Sequence, residues 1–253
     1  MQTTLDENLM RVRTRIERAR AGARRPGLAR LVGVTKRSRP QHAAALARRG
    51  VPDLGENRLE GLQEKREWFE AEAPDLHPRW HFIGHVQRNK ARRVAELSHV
   101  IHSVDSLRLL ETLERVCARD GLAPEVFLQL KLTDEDAKHG MQTAELDEAL
   151  AAASECRAVR PAGLMGMAAL ANDDAGRRAA GEQFERLATL AQAPTSVGWV
   201  HGRPLLSMGM SADFELAVEA GSDWLRLGSI LFEGVDAGGS DRADGAVREG
   251  DVR

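Results

Sequence analysis

The chain has 253 residues, 42% hydrophobic and 29% charged, with a formal net charge of −2. That length buries one substantial core, as a single α/β barrel or as two small domains, and the interspersed charges leave no global field to recruit nucleic acid or an anionic membrane. Cys117 and Cys156 lack metal-ligand spacing, the first ten residues are polar rather than an apolar leader, and no apolar run is long enough to span a bilayer, so a reduced cytosolic protein is expected.

Residues 5–19 place Leu5, Leu9, Val12 and Ile16 at steps of four and three among arginines and glutamates, which predicts an amphipathic helix docked on a larger body. Short apolar or β-branched runs then follow one another: Leu31–Thr35, Asp53–Gly55, Trp80–Ile83, Val100–Val104, Val126–Leu130, Ala162–Met165, Leu205–Met208 and Trp224–Leu227. Between them the patterns at 41–49, 58–72, 88–97, 106–119, 143–156, 176–192 and 212–220 predict helices. Thr143 stands before one of them, and Gly221 closes the last. Strands separated by helices need crossover connections, so the sheet is expected to be parallel and covered by helices. About eight such strands close a (β/α)8 TIM barrel, with a doubly wound open sheet as the alternative. The second strand is the weak one, too short to stand on pattern alone. Residues 193–204 predict an extended loop. Residues 1–234 form the expected domain, and the tail 235–253, nearly devoid of large apolar side chains, is expected to be disordered.

Lys36 follows the apolar run Leu31–Thr35, so a barrel would hold its amine at the mouth. A lysine after a strand is usually a solvated loop residue; held rigidly and partly desolvated, it becomes a nucleophile toward an aldehyde. Near the other end of the chain, Ser207-Met208-Gly209-Met210-Ser211 and Arg226-Leu227-Gly228-Ser229 follow the last two strands. Loops at those positions of a barrel commonly hold phosphate on backbone N–H groups. Gly209 and Gly228 would permit close approach, Ser211 and Ser229 supply hydroxyls, and Arg226 supplies a cation.

Six motifs, VGVTK ending at Lys36, LGEN at 54–57, WHFIGHVQRNK at 80–90, GLMGM at 163–167, LSMGMS at 206–211 and RLGSILF at 226–232, resemble the YggS/PROSC family of pyridoxal 5'-phosphate (PLP) homeostasis proteins over residues 28–234. The resemblance implies a fold-type III barrel like the N-terminal domain of alanine racemase, without that enzyme's second β domain. It also implies PLP bound covalently as an aldimine on Lys36, phosphate contacts from the loops holding Ser211, Gly228 and Ser229, and Arg226 near the cofactor. With Asn57 and Met165 lining the pocket from strand ends, and Ser207, Gly209 and Met210 in the seventh-strand loop, this completes the expected site. Departures from the family pattern are Arg58 after GEN, the run Arg37-Ser38-Arg39, and Ala137 before Lys138, which matches a position suspected of secondary cofactor contact.

The chain contains no tyrosine, so it cannot use the tyrosine acid/base that racemases of the related barrel place opposite the lysine. A PLP carrier that buffers the cofactor or delivers it to PLP-dependent apo-enzymes is therefore expected ahead of a racemase, a lyase or a scaffold, and the expected state is a monomer. His81 and His85 have helical metal spacing, but Gly84 breaks any helix, and His81 reads better as a hydrogen-bonded residue at the barrel mouth. No metal is expected. The acids Asp134–Asp136 and the basic groups Arg24, Arg25 and Arg30 or Arg88, Lys90, Arg92 and Arg93 read as solvated faces. Asn89 and Lys90, ending the third motif, are expected to support the loop or a partner.

Overall fold

The computed structural model describes residues 2–23, 25, 27–133, 139–169, 172–193 and 195–235. Its eight strands are β1 (Arg30–Val34), β2 (Asp53–Glu56), β3 (Arg79–Phe82), β4 (Val100–Val104), β5 (Glu125–Lys131), β6 (Arg160–Met167), β7 (Leu205–Ser207) and β8 (Trp224–Leu227). They run parallel in sequential order, and β8 returns to β1 with Arg30 opposite Trp224 and Gly33 opposite Leu227. That pairing closes the barrel and excludes the open sheet. The short β2 exists because all four of its residues pair with β3, from Asp53 opposite Arg79 to Glu56 opposite Phe82; a long-range ladder supplies what four residues of pattern cannot.

The helices are α1 (Gln2–Ala21), α2 (Pro40–Ala47), α3 (Leu59–Glu72), α4 (Ala91–Leu97), α5 (Leu107–Asp120), α6 (Leu146–Glu155), α7 (Asp174–Leu190) and α8 (Phe214–Glu219). Single 3-10 turns at Arg88–Lys90 and Thr143–Glu145 lead into α4 and α6; the cap before the second is Gln142, in a capping box with Glu145, rather than Thr143. Ser106 caps α5 through its hydroxyl.

Side chains alternate along each strand, and the core divides accordingly. The outward set packs beneath the helices. The inward set, Val32, Val100, Phe127, Ala162, Met165, Leu205 and Trp224, fills the lumen as a separate cluster. Leu5, Leu9, Val12 and Ile16 of α1 are buried, and Arg15 reaches Glu215 of α8 at 2.6 Å. Buried Asn8 donates to Leu231 O at 3.0 Å and Glu233 O at 2.8 Å, so α1 also holds the segment after β8. Val235, expected to open the tail, is instead buried, with its N–H on Phe232 O at 3.1 Å; the rest of the tail lies outside the described residues. Both cysteines are free, Cys117 buried and Cys156 half-buried just past α6, and burial pushes each thiol up to about 11. Among the described residues no helix is long and apolar enough to cross a membrane.

Candidate functional site at the barrel mouth

The end of β1 is fixed from behind by a buried ion pair. Thr35 donates its N–H to Gly55 O at 2.9 Å and its hydroxyl to Glu56 Oε1 at 2.6 Å. The ammonium of Lys65, on α3, lies 3.0 Å from the same oxygen, and the two charged side chains are only 6% and 2% exposed. This bracket determines where the next residue, Lys36, begins. Lys36 itself stands in the turn that follows and is exposed. The partial desolvation expected of it is not met by the protein alone: β1 ends at Val34 and the chain turns outward, so withdrawal from water falls to whatever binds over the amine.

The loops after β7 and β8 lie beside that lysine, because β8 pairs with β1. A Cβ on Gly228 would come within 3.1 Å of Val34 O, so glycine lets the β8 loop close against the end of β1. The φ of Gly209 is +92°, and a Cβ there would sit 2.6 Å from the Cβ of Ala217, so its missing side chain makes room for α8. Met210 is likewise committed within its loop, its N–H donating to Asp213 Oδ1 at 2.6 Å. Ser211 Oγ accepts from the N–H groups of Gly228 and Ile230, both at 3.4 Å. These bonds are long and weak. Two backbone donors thus converge on one hydroxyl that they hold loosely, an arrangement that suits an anion. Ser229 is exposed at the start of the same turn.

Arg226 faces the lumen and is 4% exposed. Its Nη1 donates to Ser207 Oγ at 2.7 Å and its Nη2 to Gly166 O at 3.1 Å. Burial lowers its pKa to about 10, so it remains a cation at neutral pH. Beyond Ser207 the contacts continue: His102 Nδ1 lies 2.7 Å from Ser207 Oγ, His102 Nε2 lies 2.8 Å from His81 Nδ1, and His81 Nε2 lies 2.8 Å from Asp53 Oδ1. His81 is hydrogen-bonded in place, but it is fully buried in the lumen rather than at the mouth. Inward alternation along β3, from Arg79 to His81, puts it there. Met165 is buried and pairs in register with Ser207 and Gln129, while Asn57 is half-buried just past β2.

Glu56, Lys65, His102 and Ile230 were not singled out from sequence. A histidine on the inward phase of the apolar run Val100–Val104 was the one available signal; the others reveal themselves only through partners elsewhere in the chain. His85 sits apart from His81, with Nδ1 2.8 Å from Asp105 Oδ2 and its ring stacked on His139 at 4.3 Å and 18°. The ligand atoms of His85, Asp105 and His139 lie within 4.8 Å of one another. Lys90 pairs with Glu60, Arg92 with Asp120 and Arg93 with Glu96, at 2.9, 2.6 and 2.9 Å, as solvated faces do. Lys138, Arg24 and the acids at 134–136 lie outside the described residues.

Residues 8–235 match the family described as alanine racemase, N-terminal domain. The pyridoxal phosphate homeostasis protein of Pseudomonas aeruginosa is 36% identical over 243 residues, covering 93% of this chain and 98% of that protein. The chain belongs to the pyridoxal phosphate homeostasis protein family. Its Escherichia coli K12 member is 35% identical over 230 residues, 89% of this chain and 94% of that one. Among solved structures, PipY of Synechococcus elongatus without PLP aligns with a TM-score of 0.75 at 33% identity, covering 89% of this chain and 98% of that one. PipY with PLP bound aligns with the same TM-score at 32% identity, covering 90% and 99%. Alanine racemase of Clostridium difficile, at 14% identity and a TM-score of 0.67, shares the fold over 91% of this chain and 59% of its own.

Proposed function

We propose that this protein binds PLP at the barrel mouth, linked covalently to Lys36 as a Schiff base, and buffers or delivers it in the cytosol without a dedicated reaction of its own. The observation that carries this reading is the convergence, on neighbouring strand ends, of an exposed amine, two loosely held backbone donors and a buried arginine. Lys36 supplies the amine. Ser211, Gly228, Ser229 and Ile230 hold the phosphate, while Gly209 and Met210 shape the loop that presents Ser211. Arg226, carried on Ser207, forms the cationic floor, and Asn57 and Met165 flank the ring. When bound, PLP supplies an aldehyde and an electron-withdrawing ring. The chain has no tyrosine to place as a second acid/base opposite Lys36, which favours holding the cofactor over turning over amino acids. The names of its relatives and the PLP-bound state of PipY support the reading. PLP-dependent apo-enzymes are the recipients that a delivering monomer would serve.

The test is to add PLP to the purified protein, record the visible band, reduce with borohydride and map the modified lysine by mass spectrometry. A stoichiometric adduct on Lys36 is expected. Label scattered over surface lysines, or no band, overturns the site. Exchange of the α-proton across a panel of amino acids, lost in Lys36→Ala, would replace the carrier with an enzyme.

A further inference from the structure

Beneath the mouth, four hydrogen bonds of 2.7–2.8 Å join Arg226 to Asp53 through Ser207, His102 and His81. They cross the lumen from β8 to β7, β4, β3 and finally the first residue of β2. The direction of every proton in this chain follows from its carboxylate end, and the guanidinium end is consistent with it. A guanidinium only donates, so Ser207 Oγ accepts from Arg226. An ionised carboxylate only accepts, so Asp53 receives the Nε2–H of His81. Both imidazoles are fully buried, and burial holds each below the ordinary histidine pKa, His102 well below it; each is therefore neutral, with one hydrogen. With its hydrogen on Nε2, His81 accepts at Nδ1 from the Nε2–H of His102. With its own hydrogen on Nε2, His102 accepts at Nδ1 from the Ser207 hydroxyl. The Asp53 end sets these tautomers, and the Arg226 end is compatible with them, since Ser207 Oγ can accept from the guanidinium while its hydrogen goes to His102.

We infer that His102 and His81 are positioning residues of the cofactor site: acting through Ser207, they draw the serine hydrogen downward and fix the orientation of the Arg226 guanidinium, so the floor of the mouth offers N–H groups and no hydroxyl hydrogen to its ligand. Such a floor takes a ligand whose lower face accepts hydrogen bonds, and the inference rests on the PLP reading for the identity of that ligand. His102 is held in this orientation by more than the chain, since its ring stacks on Phe127 at 4.7 Å with the planes 2° apart. The Arg226 guanidinium is pinned at a second point by Gly166 O. Both nitrogens of both rings are committed, and the line they form ends on the arginine.

Nitrogen-15 NMR of the histidine rings and of the Arg226 Nη groups, recorded on the protein without PLP, tests the chain independently of the cofactor. Both rings are expected in the Nε2–H tautomer, and the Arg226 Nη signals are expected to show slow rotation about the guanidinium bonds. Slow rotation is lost in His102→Leu and regained in His102→Asn, whose side-chain oxygen can replace Nδ1 as the acceptor for Ser207. PLP is then expected to leave the leucine variant about tenfold faster than wild type, and the asparagine variant at close to the wild-type rate. An Nδ1–H tautomer or a doubly protonated ring at neutral pH overturns the inference, as does equal release from all three proteins. If the leucine variant does not fold, the wild-type tautomers and the asparagine variant still decide it. Should wild type take up no PLP, the PLP reading fails while the tautomers still report on the chain.

Discussion

The mouth and the lumen of this barrel treat polar groups in opposite ways. In the lumen, Asp53, His81, His102, Ser207 and Arg226 are satisfied by short bonds to one another. At the mouth, Lys36 is exposed and the amides of Gly228 and Ile230 rest on Ser211 at 3.4 Å. Burial explains the contrast: a donor removed from water must find a full-strength partner, whereas one at the rim can be held loosely and exchanged for a ligand. Rigidity is concentrated below, and binding capacity above.

The largest expected effect comes from breaking a buried partner on the rigid side. Lys65→Ala leaves the Glu56 carboxylate buried beside Thr35, and urea unfolding should show a loss of about 3–5 kcal/mol. A loss below about 1 kcal/mol would mean that water replaces the ammonium. Next is Arg226→Met, which removes the floor cation but keeps its bulk. PLP retention should fall ten- to a hundredfold, equivalent to about 1.5–3 kcal/mol, with the fold intact by circular dichroism; unchanged retention would remove Arg226 from the site.

Acid should separate the two regions further. Burial is the largest cause of the lowered values of His81 and His102, so the unfolded chain binds protons there that the folded chain refuses. Their contribution to stability is therefore complete above the ordinary histidine pKa and declines as pH falls below it. The slope is about 1.4 kcal/mol per pH unit for each histidine. Denaturation midpoints measured from pH 8 downward should show this decline, and a shallower one in His102→Asn. Smallest is Ser211→Ala. With only two weak bonds at stake its cost to stability should be about 0.5 kcal/mol or less, while PLP affinity falls measurably. A large stability loss with unchanged affinity would make Ser211 a structural residue instead.

Much of the architecture was legible in the chain because it is local. Helical spacing in α1 and the alternation of apolar runs with amphipathic segments depend on neighbours within a few residues, and β4 and β8 have the bounds expected of them. The mouth was legible for a related reason: loops after the first and last strands of a barrel must meet. What could not be read was anything whose partner lies far along the chain. Ser207 and His102 are 105 residues apart and His81 and His102 are 21 apart, and neither spacing belongs to a recognisable pattern. That the missing Cβ of Gly209 makes room for Ala217 could not be read either, because composition does not reveal on which side of a loop a Cβ would fall. His81 was expected at the barrel mouth, whereas the inward phase of β3 buries it in the lumen.

Asn8 gives the site a dependence on the order of synthesis. Its amide holds the carbonyls of Leu231 and Glu233, in the segment that continues the turn carrying the Gly228 and Ile230 donors. The helix that provides Asn8 precedes every strand of the barrel, and the turn it holds follows the last of them. No nascent chain short of β8 can present the finished site, however much of the remaining barrel has already collapsed. Capture at the proposed site would therefore report that α1 and the turn after β8 have met.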